Sequence, residues 1–247
     1  MIPTKLSDRF LYLDITQEAE VSKLIGEQRP EIIIHVANNA DARWCEANPE
    51  KAIKLNQKAT EYIVSATNSI NAKLIYISSF EAIRPMNVYA NTKKESEKII
   101  AKTKEGYLIL RPSVILWFSP NTTNDRPFSR LLKNLDQGTP AVYDTSRKFQ
   151  PSYLGHICEV IDVSIQKKLW NEIILVAVED LKSRYDTAKD ILAPFGITVE
   201  VADKHDTLPV VKEDLSKLKK LNLPAYSYDR MIQKIIDEIK HRELFQL

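Results

Sequence analysis

Tyr89 and Lys93 stand four residues apart in the run Asn87-Val88-Tyr89-Ala90-Asn91-Thr92-Lys93. That spacing places two side chains on one face of a helix. An ammonium beside a phenol favours the phenolate and lowers its pKa. Upstream lies a short β-type run, Lys73-Leu74-Ile75-Tyr76-Ile77-Ser78-Ser79, which ends in hydroxyls. A hydroxyl at a strand end can hold a carbonyl oxygen against the phenol. Ser79, Tyr89 and Lys93 could therefore transfer a proton in carbonyl/alcohol redox chemistry.

Spacing alone is a weak signal. With ten tyrosines, about one such match is expected by chance. A second exists, Tyr185 and Lys189. It lacks a serine-ended strand before it, and it reads as a helix face packing with Ala188, Ile191 and Leu192, with Lys189 solvated. The Tyr89 helix, by contrast, lies between two apolar strands, the second being Gly106-Tyr107-Leu108-Ile109-Leu110-Arg111-Pro112.

The elements that must hold these residues alternate from the start. Arg9 to Asp14 reads as a strand. Thr16 can cap a helix burying Val21, Leu24 and Ile25. Glu31 to Val36 is a continuous apolar strand, of the kind buried on both faces of a parallel sheet. Asn48-Pro49 opens a long helix. This rhythm predicts an α/β fold, a parallel sheet with right-handed crossovers. From Ser119 to Asp125 the composition is that of a loop. Beyond it the sequence predicts a helix at Phe128–Leu135, a strand at Ala141–Tyr143, a helix near His156–Lys168, a strand at Ile173–Val178, a helix capped by Ser183 and a helical end through Tyr228, Ile232, Ile235, Ile236 and Ile239. The expected division is a core over residues 1–124, rejoined by 150–178, and a small α/β lobe from 125–149 and 179–247.

Composition narrows the classes. The chain has 247 residues, 44% hydrophobic and 28% charged, with a net charge of +2. That balance makes no electrostatic case for nucleic acid or an anionic membrane. Lys-rich stretches such as Lys212 to Lys220 read as solvated helix faces. Cys45 and Cys158 are far apart and fit no metal spacing, and the four histidines suggest no metal site. No run reaches membrane-spanning length and no signal-peptide core is present, so a cytoplasmic protein is expected.

In these motifs the chain resembles the extended short-chain dehydrogenase/reductase superfamily. Within it, the resemblance is to dTDP-4-dehydrorhamnose reductases and their relatives, among them the regulatory β subunit of methionine adenosyltransferase. Leu13-Asp14-Ile15-Thr16 is similar to the family's strand end beside the adenine ring. Arg29 to Ala37 is similar to the next strand, bordering the cofactor. Asp41, Cys45-Glu46, Pro49, Ala52 and Asn56 fall at the spacing of the following pattern. Ser79 aligns with the catalytic hydroxyl, and Pro85-x-Asn87-x-Tyr89-x-x-Thr92-Lys93 with the active-site helix. Phe149-Gln150-Pro151-Ser152-Tyr153 and Ser183-Arg184-Tyr185 are similar to the substrate lobe. The resemblance implies a truncated Rossmann-like, doubly wound parallel sheet as a nucleotide-binding core, the small lobe as the substrate-binding part, and a reductase of a nucleotide-linked keto-sugar using NADP or NAD. Tyr89 would donate the proton, Lys93 would lower its pKa and hold the nicotinamide ribose, and Ser79 would orient the carbonyl. Cofactor contacts would come from Asp14, Ile15, Ala37, Asn38, Asn39, Pro112 and Ser113, as well as from Tyr89 and Lys93. Phe80, Trp117, Arg147 and Gln150 would face the substrate.

Each assignment has a plainer counterpart. The triad could be inherited and now only hold the fold. Asn38 and Asn39 could bond their own backbone. Arg147 could be solvated, and Trp117 and Phe118 could simply pack. His35 reads as a hydrogen-bonded core histidine, and Asn56, unfavourable inside a helix, as a buried polar group.

Three departures from the family pattern stand out. The glycine-rich β-α-β segment is missing. The five glycines, Gly26, Gly106, Gly138, Gly155 and Gly196, do not cluster, so the pyrophosphate would lose its usual backbone amides. One sheet edge should then be exposed, open to a second copy or a protein partner. Phe80 and Ala82-Ile83-Arg84-Pro85 replace the usual residues after the catalytic hydroxyl, and Ala90 replaces a glycine. A non-catalytic sugar-nucleotide-binding or regulatory protein is the alternative expectation.

Overall fold

A computed structural model describes residues 11–117, 127–206 and 210–242. The elements run α1 (Glu18–Gln28), β1 (Ile32–His35), α2 (Ala42–Ala47), α3 (Pro49–Ala52), α4 (Ala59–Ser69), β2 (Lys73–Ile77), α5 (Val88–Ile100) and β3 (Tyr107–Pro112). They continue with β4 (Ile115–Leu116), α6 (Pro127–Gln137), β5 (Ala141–Asp144), β6 (Lys148–Phe149), β7 (Ser152–Tyr153) and α7 (Leu154–Gln166). The series ends with β8 (Glu172–Val176), β9 (Lys182–Ser183), α8 (Arg184–Leu192), β10 (Val199–Ala202), α9 (Ser216–Lys220) and α10 (Tyr228–Lys240).

The chain forms two compact units. The first comprises residues 4–112 and 164–175, and the second is built mainly from residues 113–163 and 176–247. The expected break at residue 124 thus sits earlier, where Pro112 ends β3.

In the first unit four strands form a sheet in the order β1-β2-β3-β8, with β1–β2 and β2–β3 parallel. The mixed α/β, Rossmann-like architecture read from the sequence is present. Leu74, Tyr76 and Ile109 of the sheet pack with Val21 and Ile25 of α1, Ile63 and Val64 of α4, and Ile99 and Ile100 of α5. These are the positions where helical and strand periodicities each turn an apolar face inward.

Three local expectations are corrected. Residues 11–14 form no strand. Asp14 instead accepts from the Thr16 amide and hydroxyl at 2.9 and 2.8 Å, closing a side-chain turn. The Thr16 hydroxyl is thereby committed, and Gln17 takes the N-cap position of α1. The Glu31–Val36 run is not buried on both faces: β1 is a sheet edge, with Ile34 49% and Val36 55% exposed. The sequence anticipates an exposed edge beside Asp14, whereas among the described residues the outer strand on this side is β1. Asp41 also caps a short helix, α2, that periodicity did not announce.

Pro49 begins the long helix, which passes through a π-helical segment, Ile53–Lys58, before α4. Such segments insert a residue into a helix and often occur at functional sites.

The second unit has its own core. Phe128, Leu131, Tyr153, Ile191, Leu192, Met231 and Ile235 form its centre. Ser183 caps α8 through a reciprocal box with Asp186. In α10, Tyr228, Ile232, Ile235, Ile236 and Ile239 are all buried, as their spacing predicts. Among the described residues, no helix is long and apolar enough to cross a membrane, and no group of three His, Cys, Asp or Glu could hold a metal.

Candidate active site at the end of strand β2

β2 delivers Ser78 and Ser79 past its carboxyl end. Ser78 is 4% exposed, and its amide donates to the Leu110 carbonyl of β3 at 2.7 Å. Ser79 opens a 3-10 turn, Phe80–Ala82, by accepting from the Glu81 amide at 3.2 Å. α5 starts at Asn87, whose side chain accepts from the Ala90 amide. That cap sets the rotation of α5, so Tyr89, Lys93 and Glu97 lie at i, i+4 and i+8 on one face. All three are buried.

Lys93 is 1% exposed. Its Nζ donates to the Ile77 carbonyl at 2.7 Å and lies 4.6 Å from the centre of the Tyr76 ring. Burial pulls its pKa down to about 7, with Glu97 opposing. Glu97 forms a two-pronged ion pair with Arg111, at 2.8 and 2.6 Å, and accepts from the Ser78 hydroxyl. Glu97, Arg111 and Ser78 thus form one hydrogen-bonded group at the strand ends, and Lys93 feels the Glu97 charge. Tyr89 packs with Cys45 and Ala52.

Behind them runs a polar chain through the π-helical segment. Asn56 is 1% exposed. Its side chain accepts from the Asn39 amide at 2.7 Å and donates to the Asn39 carbonyl at 3.0 Å, and it also donates to the Thr92 hydroxyl. Its main-chain carbonyl accepts from both the Thr60 and Ser96 hydroxyls. This is the buried polar role anticipated for Asn56. His35 is 3% exposed, with Nε2 3.1 Å from the Thr60 hydroxyl. Desolvation, then the Lys93 charge, lowers its pKa to about 3, so it is a neutral core histidine at ordinary pH.

The other sequence candidates divide between the units. In the first, Asp14 and Ile15 lie in the turn before α1, and Ala37, Asn38 and Asn39 follow β1. Asn38 donates to the Val36 carbonyl and Asn39 accepts from the Asp41 amide, the local bonding weighed above. The Asn38 Oδ1 is nevertheless buried and has no hydrogen-bond partner among the described residues. Phe80 is half-buried in the 3-10 turn, and Pro112 is buried at the end of β3.

In the second unit, the Ser113 amide donates to Ser152 Oγ at 2.9 Å. Trp117 is half-buried against the core. Gln150 is buried, and both ends of its amide engage the Glu213 backbone. Arg147 is exposed and lies 3.8 Å from Asp206. Phe118 lies outside the described residues. The sequence reading missed that Arg147 belongs to a cluster. Partial burial, then the like charges of Arg130 and Arg147, hold the Arg184 guanidinium below the usual arginine range, with Asp144 opposing. No local spacing signals this, because the three arginines come from α6, the β5–β6 turn and α8.

A family model described as the RmlD substrate binding domain matches residues 4–228. Among curated relatives, methionine adenosyltransferase 2 subunit beta of Xenopus tropicalis is 33% identical over 120 residues, 43% of this chain and 36% of that protein. The chain therefore spans little more than a third of that relative's length. The dTDP-4-dehydrorhamnose reductase of Aggregatibacter actinomycetemcomitans is 25% identical over 201 residues, 72% of this chain and 66% of that one. Among solved structures, the dTDP-4-dehydrorhamnose reductase of Bacillus anthracis, in complex with NADP, superposes with a TM-score of 0.78 at 20% identity, covering 92% of this chain and 87% of that one. The Bordetella bronchiseptica enzyme WbmG, in complex with NAD and UDP, gives 0.78 at 14% identity, covering 96% and 79%. Those two likenesses establish the fold.

Proposed function

The chain belongs to the family of the RmlD substrate binding domain, and from that premise we propose that it reduces a nucleotide-linked keto-sugar with a nicotinamide cofactor. The observation that carries this reading is Lys93: a buried ammonium on the same helix face as Tyr89, seated at the carboxyl end of the strand that bears Ser79. In open parallel sheets, ligands sit at the carboxyl ends of the strands.

The donor set there fits the nicotinamide-ribose end of NADP or NAD. Lys93 can donate to ribose hydroxyls, and the buried, unpartnered Asn38 Oδ1 can accept from the cofactor. Asp14, Ile15, Ala37, Asn39, Pro112 and Ser113 complete the proposed cofactor contacts. When bound, the cofactor supplies hydride. The chain's own residues handle the proton and the orientation. Ser79 donates its hydroxyl to the substrate carbonyl oxygen and fixes its place. Tyr89 gives its phenolic proton to that oxygen, and the Lys93 charge stabilises the phenolate left behind. Glu97, paired with Arg111, keeps a carboxylate one turn from Lys93 and favours its charged form. For the substrate, Arg130, Arg147 and Arg184 offer the guanidinium chemistry that suits a diphosphate. Phe80, Trp117 and Gln150 are the remaining proposed substrate contacts. The NADP in the Bacillus structure and the NAD with UDP in the Bordetella structure support these ligand classes.

Calorimetric titration with NADPH and NADH tests the reading. Binding at about micromolar Kd that weakens in Lys93→Ala is the expected result. No heat up to about millimolar cofactor would sink it.

A second reading has its own support. The similarity to subunit beta of methionine adenosyltransferase 2, with the exposed apolar edge at Ile34 and Val36, suits a regulatory protein. It would dock a protein partner or a second copy on β1. It predicts no dinucleotide binding in the same titration, and a complex that Ile34→Lys disrupts.

A further inference from the structure

The first unit carries a second concave site at the opposite end of its sheet. A cavity of about 510 Å³ opens where β1 and β2 begin. Its apolar walls include Ile32, Ile70 and Trp170, and three cations, Arg29, Lys73 and Lys168, line it with one carboxylate, Glu31. The volume lies in the range of small-ligand pockets, which run from about 300 to 1,000 Å³. Lys73 is six residues from Ser79, so along an extended strand the two sites are about 20 Å apart. Nothing in the proposed reduction uses this end.

Two features separate it from an ordinary basic surface. First, the aromatic floor is fixed. Trp170 lies directly on Gly106, where an added Cβ would come within 2.8 Å of the Trp170 Cβ, and Gly106 has φ +115°. Only glycine allows that approach. Lys73 Nζ stands 5.7 Å from the centre of the indole. Lys73 thus lies over a face of the indole; its flexible side chain can turn to meet an anionic group and leave that face to a flat ring. Second, three residues lining the cavity have left-handed backbones: Arg29 (φ 44°), Asn71 (φ 56°) and Lys168 (φ 54°). Asparagine tolerates this conformation, whereas arginine and lysine lose about 1 kcal/mol in it. Cations near helix ends offset the helix dipole, which accounts for Arg29 after α1 and Lys168 after α7. It does not account for Lys73, which opens a strand. Among the described residues none of the three cations makes an ion pair.

We propose that this cavity binds a small anion bearing a flat ring, of the aromatic phosphate class. The ring stacks on Trp170 between Ile32 and Ile70, and the phosphate is met by Lys73, Lys168 and Arg29. A ligand of about ten heavy atoms held this way reaches Kd values from about millimolar to micromolar. Rising salt weakens it, because the cations stand at the surface.

Phenyl phosphate is the probe, titrated into the ¹⁵N-labelled full chain while the indole N–H signals of Trp44, Trp117 and Trp170 are followed, each assigned by its Phe variant. The expected result is a saturable shift of the Trp170 signal, weaker binding of phenol or inorganic phosphate alone, and an affinity at least about tenfold lower in Lys73→Ala/Lys168→Ala. Arg29→Gln/Lys168→Gln, changing exposed residues only, gives the same loss if the first variant folds poorly. Equal binding by the charge variants, or shifts confined to Trp44 or Trp117, overturns the site. Inorganic phosphate binding as tightly as phenyl phosphate overturns the aromatic assignment.

Discussion

Two tyrosine–lysine pairs with the same spacing occupy helices in different units, and their surroundings diverge. In α5, Lys93 is almost completely buried, bonds a strand carbonyl and lies over the ring of Tyr76. In α8, Lys189 is exposed and its Nζ lies 5.9 Å from the ring of its own partner, Tyr185. The spacing supplies one face in both helices. Only in α5 does that face press against the end of a parallel sheet, so only there is the ammonium stripped of water. Desolvation, more than proximity to tyrosine, sets the chemistry of Lys93 apart.

The sharpest way to break this contrast is catalytic. Under the proposed function, Tyr89→Phe or Lys93→Ala lowers kcat/KM for keto-sugar reduction by about 10²- to 10⁴-fold. Tyr185→Phe and Lys189→Ala leave it within about twofold. Initial rates of NADPH oxidation decide it, and equal losses in both pairs would erase the distinction.

Next comes a stability effect of burial itself. The folded Lys93 pKa of about 7 lies below the free value of 10.5. Between those values the unfolded chain binds more protons, so Lys93 makes stability rise as pH climbs from about 7 to 10.5, by on the order of 4 kcal/mol. Below pH 7 its full penalty remains. Urea midpoints across that window should flatten in Lys93→Met, and an unchanged slope would refute the burial argument. Lys189→Met should leave the slope as it is.

Glu97 gives a somewhat smaller effect. Glu97→Gln leaves Arg111 without its charged partner and should cost about 3 kcal/mol, read from chemical denaturation. The smallest expected change is at the surface pair: Lys189→Ala should move stability by no more than about 0.5 kcal/mol. A larger loss would mean that its ring contact holds α8.

Much of this was legible locally. Ser79, Tyr89 and Lys93 fall on the strand end and helix face that their spacing implied, and α8 and α10 bury the residues their periodicity selected. What periodicity could not reveal was the environment. Ile32-Ile33-Ile34 reads as a strand covered on both faces, yet it forms an edge, because a run of apolar residues carries no record of how many neighbours it has. Asp14 and Thr16 spend their hydrogen bonds on each other, where a strand and a cap had been expected. The Lys93–Ile77 bond and the cluster of Arg130, Arg147 and Arg184 arise from residues brought together by folding. A sequence pattern that examines one window at a time does not register them.

The π-helical segment at Ile53–Lys58 bears on how this chain can change by mutation. It holds one residue more than a regular helix would, and that surplus leaves the Asn56 carbonyl accepting from both Thr60 and Ser96. Losing a single codon there would restore regular winding and leave the turns on either side in their present rotation. The change would be local: the Asn56 carbonyl would return to the helix ladder, away from the Thr60 and Ser96 hydroxyls. A chain one residue shorter would keep the same helix faces and lose only this junction.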